Sequence, residues 1–365
     1  MIEYIECRNS KRELVGIIDN FTSVIWNTEY NGPGEFEIYV SFNQDYFNWL
    51  SIDNYVTRYD REEIGVIESV VLDYSPETGR MIKAAGRFAL CLLERRIWAD
   101  IINSKYRCIV NIIPDNTKAE AACLRIVNET IINPDWERRK IDFITSETTG
   151  LSKTMNQKQS TYQNVLNLTQ EICKSVLYGQ KMIFNRRDLT VQYKLYEGTD
   201  RSDLLVFSQN YDNLLSFEYS CDVTNYKNGF LIAGEGEGKD RFYTFCERNN
   251  TISTGVTRRE YCYESGMSIT YLDKNQGEHT YSNADYNQIL INDCKSKFSE
   301  YSSLVNITGN VDLSLLILDK DYSVGDLVTV RDVETGITTK ARIWSVTETQ
   351  DENGYSVEAS FEESE

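Results

Sequence analysis

Histidine is almost missing from this 365-residue chain: the single one, His279, sits in the polar run KNQGEHTYSN. Serine and cysteine triads rely on a histidine base, and zinc sites of mixed ligands generally take at least one imidazole, so both chemistries are set aside. His279 itself reads as a solvated loop side chain. Proline is also scarce, at four residues, and no low-complexity linker separates one region from another, so unit borders must come from changes of periodicity. Long apolar runs are missing too. The longest, residues 88–93, is far below the length of a membrane span, and no membrane insertion is expected. The opening MIEYIECRNS has no basic region followed by an apolar stretch, which points to synthesis and assembly in a cytoplasm.

Positive charge is in deficit. Lys and Arg total 38 against 56 Asp and Glu, a formal charge of −18, which excludes diffuse attraction to DNA phosphate or an anionic membrane and favours protein partners. The nine cysteines are odd in number and contain no CxxC pair, so they form neither a small disulfide framework nor a zinc ribbon. They read as reduced, mostly buried thiols.

What is present is strand periodicity at both ends. Phe36, Ile38, Val40 and Phe42 alternate with Glu35, Glu37, Tyr39 and Ser41. NGPGE before them is a turn, and further strands are expected at 55–59, 64–74 and 80–85, with a short helix at 88–93. The middle differs. Ala119, Ala122, Cys123, Ile126 and Val127 share one helical face. A second helix is predicted from a capping box of Ser160 and Gln163, a stripe of Tyr162, Val165, Leu166, Ile172, Cys173 and Val176, and Gly179 as a left-handed terminator. Strands return over 182–270, with GEGEG as a loop. A third helix is expected over 282–301, with Ile289, Leu290, Cys294, Phe298 and Tyr301 inward, and strands then run to the end, the last pair joined by DENG.

The two ends resemble each other. Val56, Thr57 and Asp60 match Val328, Thr329 and Asp332; Ile67, Ser69 and Val70 match Ile343, Ser345 and Val346; and Gly79 matches Gly354, at offsets of 272, 276 and 275 residues. The expected class is therefore α+β, dominated by β: two β-barrel-like tube domains at the ends with an α/β insertion between. The borders predicted are 1–103 for the first barrel, 104–200 for the insertion, 201–281 for a β-rich linking unit, and 282–365 for a helix with the second barrel.

Several constellations fail as chemistry. GEGEGK at 234–239 lacks the Ser or Thr after the lysine and the glycine spacing of a phosphate loop. Glu35 and Glu37 share a strand face, as solvated acids on strands commonly do, and are weak grounds for a glycosidase pair. Asp200 and Asp203 flank Arg201, whose cation competes with any metal and forms forked pairs with carboxylates, so an ion pair is the expectation. Aromatic residues, 24 Tyr, 14 Phe and 5 Trp, suit strand packing and subunit contacts. No catalytic residue, metal ligand or cofactor is assigned.

One stretch is more specific than any of these. Asp200, Arg201 and Ser202, then Phe207 with Ser208, Asn213 with Leu214, Asn225, Tyr226 and Asn228, and the 234–238 glycine run followed by Arg241, stand in an order that resembles the siphovirus ReqiPepy-type tail protein family of phages and prophages. GIIDN at 16–20, GEF at 34–36, Gly86 with Arg87, ERRI at 94–97 and YSVGDLVTV at 322–330 extend the likeness along the chain. The resemblance implies a non-enzymatic baseplate hub at the virion tail tip, assembled in the bacterial host cytoplasm as a homotrimer with two tube domains per copy. It implies as partners a distal tail protein, a tape measure protein and receptor-binding or tail-fibre proteins, with DNA passing through without specific binding. Asp200, Arg201, Asp203, Asn213, Asn225, Arg241, Tyr322, Gly325 and Asp326 are the assembly residues it suggests. The alternatives are a tail-associated peptidoglycan hydrolase and a receptor- or carbohydrate-binding tail protein.

Overall fold

The computed structural model describes residues 1–77, 79–99, 101–102, 105–106, 111–272, 277–302, 304–310 and 316–363. Cys108, the polar residues 273–276 before His279 and the last two residues lie outside them. The fold is mostly β, as periodicity at both ends predicts.

The first unit is built by the strands Ile5–Arg8, Leu14–Ile18, Ser23–Glu29, Glu35–Ser41, Tyr55–Thr57, Ile64–Ser75 and Gly79–Phe88. In Glu35–Ser41 the predicted alternation holds: Phe36, Ile38 and Val40 are buried with Trp26, Ile5 and Ile82 in one core. The turn before it works because Gly34 takes φ +59°, where a side chain would strike the Asn27 carbonyl and the Phe88 ring.

The second unit uses Val206–Ser208, Glu218–Asp222, Leu304–Asn310, Leu327–Arg331, Thr338–Asp351 and Gly354–Glu363. Its core joins Phe207, Tyr322, Val328, Ile343, Val346 and Phe361. Two of these strands fall in the 201–281 stretch expected to link the units. The linking unit runs differently from the predicted borders: Gly229–Ala233, Tyr243–Glu247 and Glu260–Glu264 form a small sheet, and the helix Asn283–Ser296 packs on that sheet through Tyr286, Leu290 and Cys294, beside Phe230. An amphipathic stripe declares that a helix buries one face; the surface it covers is a tertiary matter.

Between them lies the insertion. Helix Ala119–Val127 buries the five predicted residues and continues into one π turn, Asn128–Ile132. Helix Val165–Val176 starts and stops differently from the sequence reading. Asn164, not Ser160, is its cap, accepting from the Leu166 and Asn167 amides, while Ser160 belongs to the strand Lys158–Ser160. Leu177 takes the left-handed position (φ 58°). Gly179 opens the strand Gly179–Asn185, and its lack of a side chain makes room for the Tyr30 ring, 2.4 Å from where a Cβ would stand. The histidine lies in a two-stranded ribbon rather than a loop, exposed on Glu278–Thr280 with its ring 5.5 Å from that of Tyr271. Among the described residues the cysteines are free; six are buried, while Cys221 and Cys262 are exposed.

The internal repeat is a repeat of structure. The hairpins Ile64–Ser75/Gly79–Phe88 and Thr338–Asp351/Gly354–Glu363 each carry a bulge at the matched position, between Ile67 and Ser69 in one and between Ile343 and Ser345 in the other. The bulge is held identically. The Ile67 amide bonds Asn54 and its carbonyl accepts from Asp53, just as the Ile343 amide bonds Asp326 and its carbonyl accepts from Gly325. Asp53 and Gly325 both have left-handed φ, 62° and 98°. The two units are then joined edge to edge, because Ser345–Gln350 pairs antiparallel with Val24–Glu29, so one 13-stranded sheet runs through both.

Candidate assembly site at the seam between the two units

At the seam, remote parts of the chain meet with charge. Glu348 lies in the seam strand opposite Trp26 and is 1% exposed. Strand alternation turns it inward, toward the loop that follows Tyr55–Thr57. Both forks of that loop grip its carboxylate: Arg58 Nη1 and Nη2 donate at 2.9 and 3.1 Å, and Arg61 Nε and Nη2 donate at 2.9 Å each. The Tyr355 hydroxyl donates to Glu348 Oε1 as well. Arg58 also forks onto Asp60 at 3.1 and 2.7 Å, and Arg61 reaches Asp319 at 3.3 Å.

Burial alone would raise the Glu348 carboxyl, but the two guanidinium charges and their hydrogen bonds hold it below the usual carboxylate range. Arg58, 1% exposed in its side chain, answers with a raised pKa: desolvation pulls it down, and Glu348 with Asp60 more than restores it. The Tyr355 phenol is pushed up by burial and by the anion beside it. Glu348 and its two arginines thus keep their charges near neutrality, and the chemistry of the cluster is cohesion across a joint.

The sequence-named residues divide around this seam. Arg201 does not pair with Asp200 or Asp203; its Nε donates to Asp326 at 2.8 Å, 125 residues away. The Asp326 carboxylate, almost buried, also accepts from the amides of Thr199 and Ser323, so one acid ties the chain leaving the insertion to the turn entering Leu327–Arg331. Asp200 folds back on Ser202, accepting from its amide and hydroxyl, which keeps its carboxyl low, while Asp203 is exposed. Gly325 supports the same corner: a Cβ there would stand 2.5 Å from the Tyr30 ring, and its carbonyl accepts from Arg342 at 2.6 Å. Tyr322 is fully buried, edge-on to Phe207.

Others lie apart. Asn213 staples its own loop, accepting from the Ser208 amide and donating to the Val206 carbonyl. Arg241 closes the GEGEG loop on Gly234 and pairs with Glu264, in the linking unit. Asn225 is exposed near that unit's start. Sequence reasoning missed the strongest cluster, Arg58, Arg61 and Glu348. The only available signal was a matched pair of hairpins in which one strand carries Glu348 where the other carries Leu72.

Comparison with known proteins agrees with this architecture. The sequence matches the Siphovirus ReqiPepy6 Gp37-like protein family over residues 4–361. Among curated proteins, none matches by sequence. Among solved structures, a tail protein from Neisseria meningitidis MC58 is similar at a TM-score of 0.60 and 13% identity, over 99% of this chain and 96% of that one. The 43 kDa tail protein of prophage MuSo2 from Shewanella oneidensis gives 0.60 and 11%, over 98% of each chain. Prophage tail protein gp18 from Listeria monocytogenes EGD-e gives 0.53 and 13%, over 98% and 94%. At such identities the likeness is one of fold. The chain belongs to the Siphovirus ReqiPepy6 Gp37-like family and has the fold of phage and prophage tail proteins.

Proposed function

We propose that this chain is a structural hub of a phage or prophage tail tip, three copies of which close into a ring at the end of the tail tube. The observation that carries the reading is the edge-to-edge union of two repeated units within one sheet. A chain holding two like units side by side presents six to a ring of three, which suits a junction between a sixfold tube and a threefold tip. The family membership and the tail-protein fold support the same role.

In this role the work is mechanical. The ring would mount the host-binding apparatus, with a distal tail protein, a tape measure protein and receptor-binding or fibre proteins as neighbours. DNA would pass through without specific contact, consistent with a chain of charge −18. Native mass spectrometry of the protein at high concentration, and of intact tails, tests the ring: three copies of 42.2 kDa weigh about 127 kDa. A stable dimer inside an intact tail would rule the ring out.

A further inference from the structure

The joint between the two units uses one edge of each hairpin unit, and the corresponding edges carry no paired strand among the described residues. Beyond Val66, the strand Ile64–Ser75 pairs only with Gly79–Phe88 among the named strands; its outer side, residues 69–74, has no strand beside it among the described residues. The matched stretch, Ser345–Gln350, is the one covered by Ser23–Glu29 in the seam. At the far end of the sheet, Glu218–Asp222 pairs with Leu304–Asn310 on one side and is the last strand among the described residues. Its place corresponds to that of Ser23–Glu29. Ala85 and Ser360 face the matched residues Ser69 and Ser345; Glu37 and Thr308 face Ala85 and Ser360; Ile25 and Glu218 face Glu37 and Thr308.

We infer that residues 69–74 of one copy pair antiparallel with Glu218–Asp222 of a second copy, repeating between chains the seam found within one. This rests on the ring reading above and gives it a register. In the seam Thr349 stands opposite Ile25, so Asp73 falls opposite Glu218, Leu72 opposite Tyr219, Val71 opposite Ser220 and Val70 opposite Cys221. Neither edge carries a lysine or a proline, two of the residues that keep lone sheet edges apart. Residues 69–74, SVVLDY, contain no lysine or proline, Val71, Leu72 and Tyr74 are 49, 47 and 67% exposed, and all five residues of Glu218–Asp222 are exposed. Because the two edges differ, the contact is head to tail, and such contacts close into rings when the rotation permits. One pair is unfavourable: Asp73 meets Glu218, two acids directly opposite.

The register makes a trapping experiment decisive. In a Cys262→Ser background, Val70→Cys places a thiol opposite the native Cys221, and mild oxidation of the concentrated protein is expected to convert most of it to crosslinked dimers and trimers on a non-reducing gel. Cys221→Ser should abolish the bands, and Val71→Cys, which faces the other side of the sheet, should give few. Absence of crosslinks from a folded Val70→Cys protein, bands independent of Cys221, or equal trapping of Val71→Cys would overturn the register. A second measurement needs no oxidation: Asp73→Lys sets a lysine against Glu218 and should lower the concentration of half-assembly by roughly threefold or more, an effect that salt weakens. Unchanged or weaker association would count against the pairing. A native trimer without trapping would spare the ring and reject this edge, whereas a particle without trimers would reject both.

Discussion

The two hairpin units share a bulge, a left-handed residue before the bulge's partner strand, and a glycine turn, yet they treat their outer edges oppositely. In the second unit the edge is covered, Val346 is fully buried, and Glu348 is clamped by two arginines. In the first unit the corresponding residues are Val70, half-buried, and Leu72, 47% exposed. They also close differently. Ile5–Arg8 runs antiparallel to Tyr55–Thr57, whereas Val206–Ser208 runs parallel to Leu327–Arg331. The contrast teaches how one folding pattern can carry a permanent joint and an open one. A buried ionic cluster makes a mismatched register costly and suits a seam made once, during folding; an apolar edge keeps its affinity for a later partner.

The largest blow to this comparison is deletion of a bulge residue. Removing Trp344 leaves Ile343 and Ser345 opposite Phe361 and Ser360, but it takes away the bend and extra twist of the bulge and the carbonyl that accepts from the Tyr30 amide, so Ser345–Gln350 no longer leads onto Val24–Glu29. The second unit is expected to lose cooperative unfolding in urea. Removing Glu68 disturbs a strand half that has no seam to lose, so the protein should still unfold in a single, lower transition. Equal damage would mean the two hairpins are not used differently.

Next comes Glu348→Ala, which leaves Arg58 buried and uncompensated on that side, at a cost of about 3–5 kcal/mol by chemical denaturation. The sign with pH follows from the lowered carboxyl. Its contribution is fully present above the ordinary value of 4.5 and is lost as pH falls through the depressed folded value. The gap between wild type and Glu348→Gln should therefore be flat at neutrality and shrink below about pH 4. A gap that widens in acid would show that the clamp does not hold an anion.

Gly325→Ala tests the shared corner. Its φ of +98° and the Tyr30 ring both resist a side chain, and about 2 kcal/mol should be lost. Asp53→Ala at the equivalent corner, where a non-glycine residue already tolerates φ 62°, should cost less. The smallest effect is Arg201→Ala. It removes one charge-assisted bond from Asp326, but that carboxylate keeps two backbone amides, so about 1 kcal/mol is expected in a thermal or urea melt, and a negligible loss would place Arg201 among surface charges.

Much of the site's surroundings was legible in the residues alone. Phe36, Ile38 and Val40 alternate, so their strand was visible; Ile67, Ser69, Ile343 and Ser345 recur, so the hairpins could be matched before their bulges were known. The helix cap at Asn164 was not legible, because Ser160 and Gln163 satisfy the same short-range rule and only the pairing of Lys158–Ser160 with Asn111–Ile113 removes Ser160 from competition. Arg201 stands between Asp200 and Asp203 in the chain, and a sequence displays that adjacency while it hides the 125-residue approach of Asp326.

What the sequence determined by itself is therefore local and periodic: which segments are strands, which faces are apolar, where glycine must turn the chain, and that two stretches repeat. Tertiary structure alone decided that the two repeats share one sheet, which edge is covered, and that Arg58, Arg61 and Glu348 meet across some 290 residues. The physical reason is range. Dihedral preference and side-chain alternation act over a few residues, whereas strand pairing and a buried ion cluster depend on which distant edges the whole chain brings within hydrogen-bond reach.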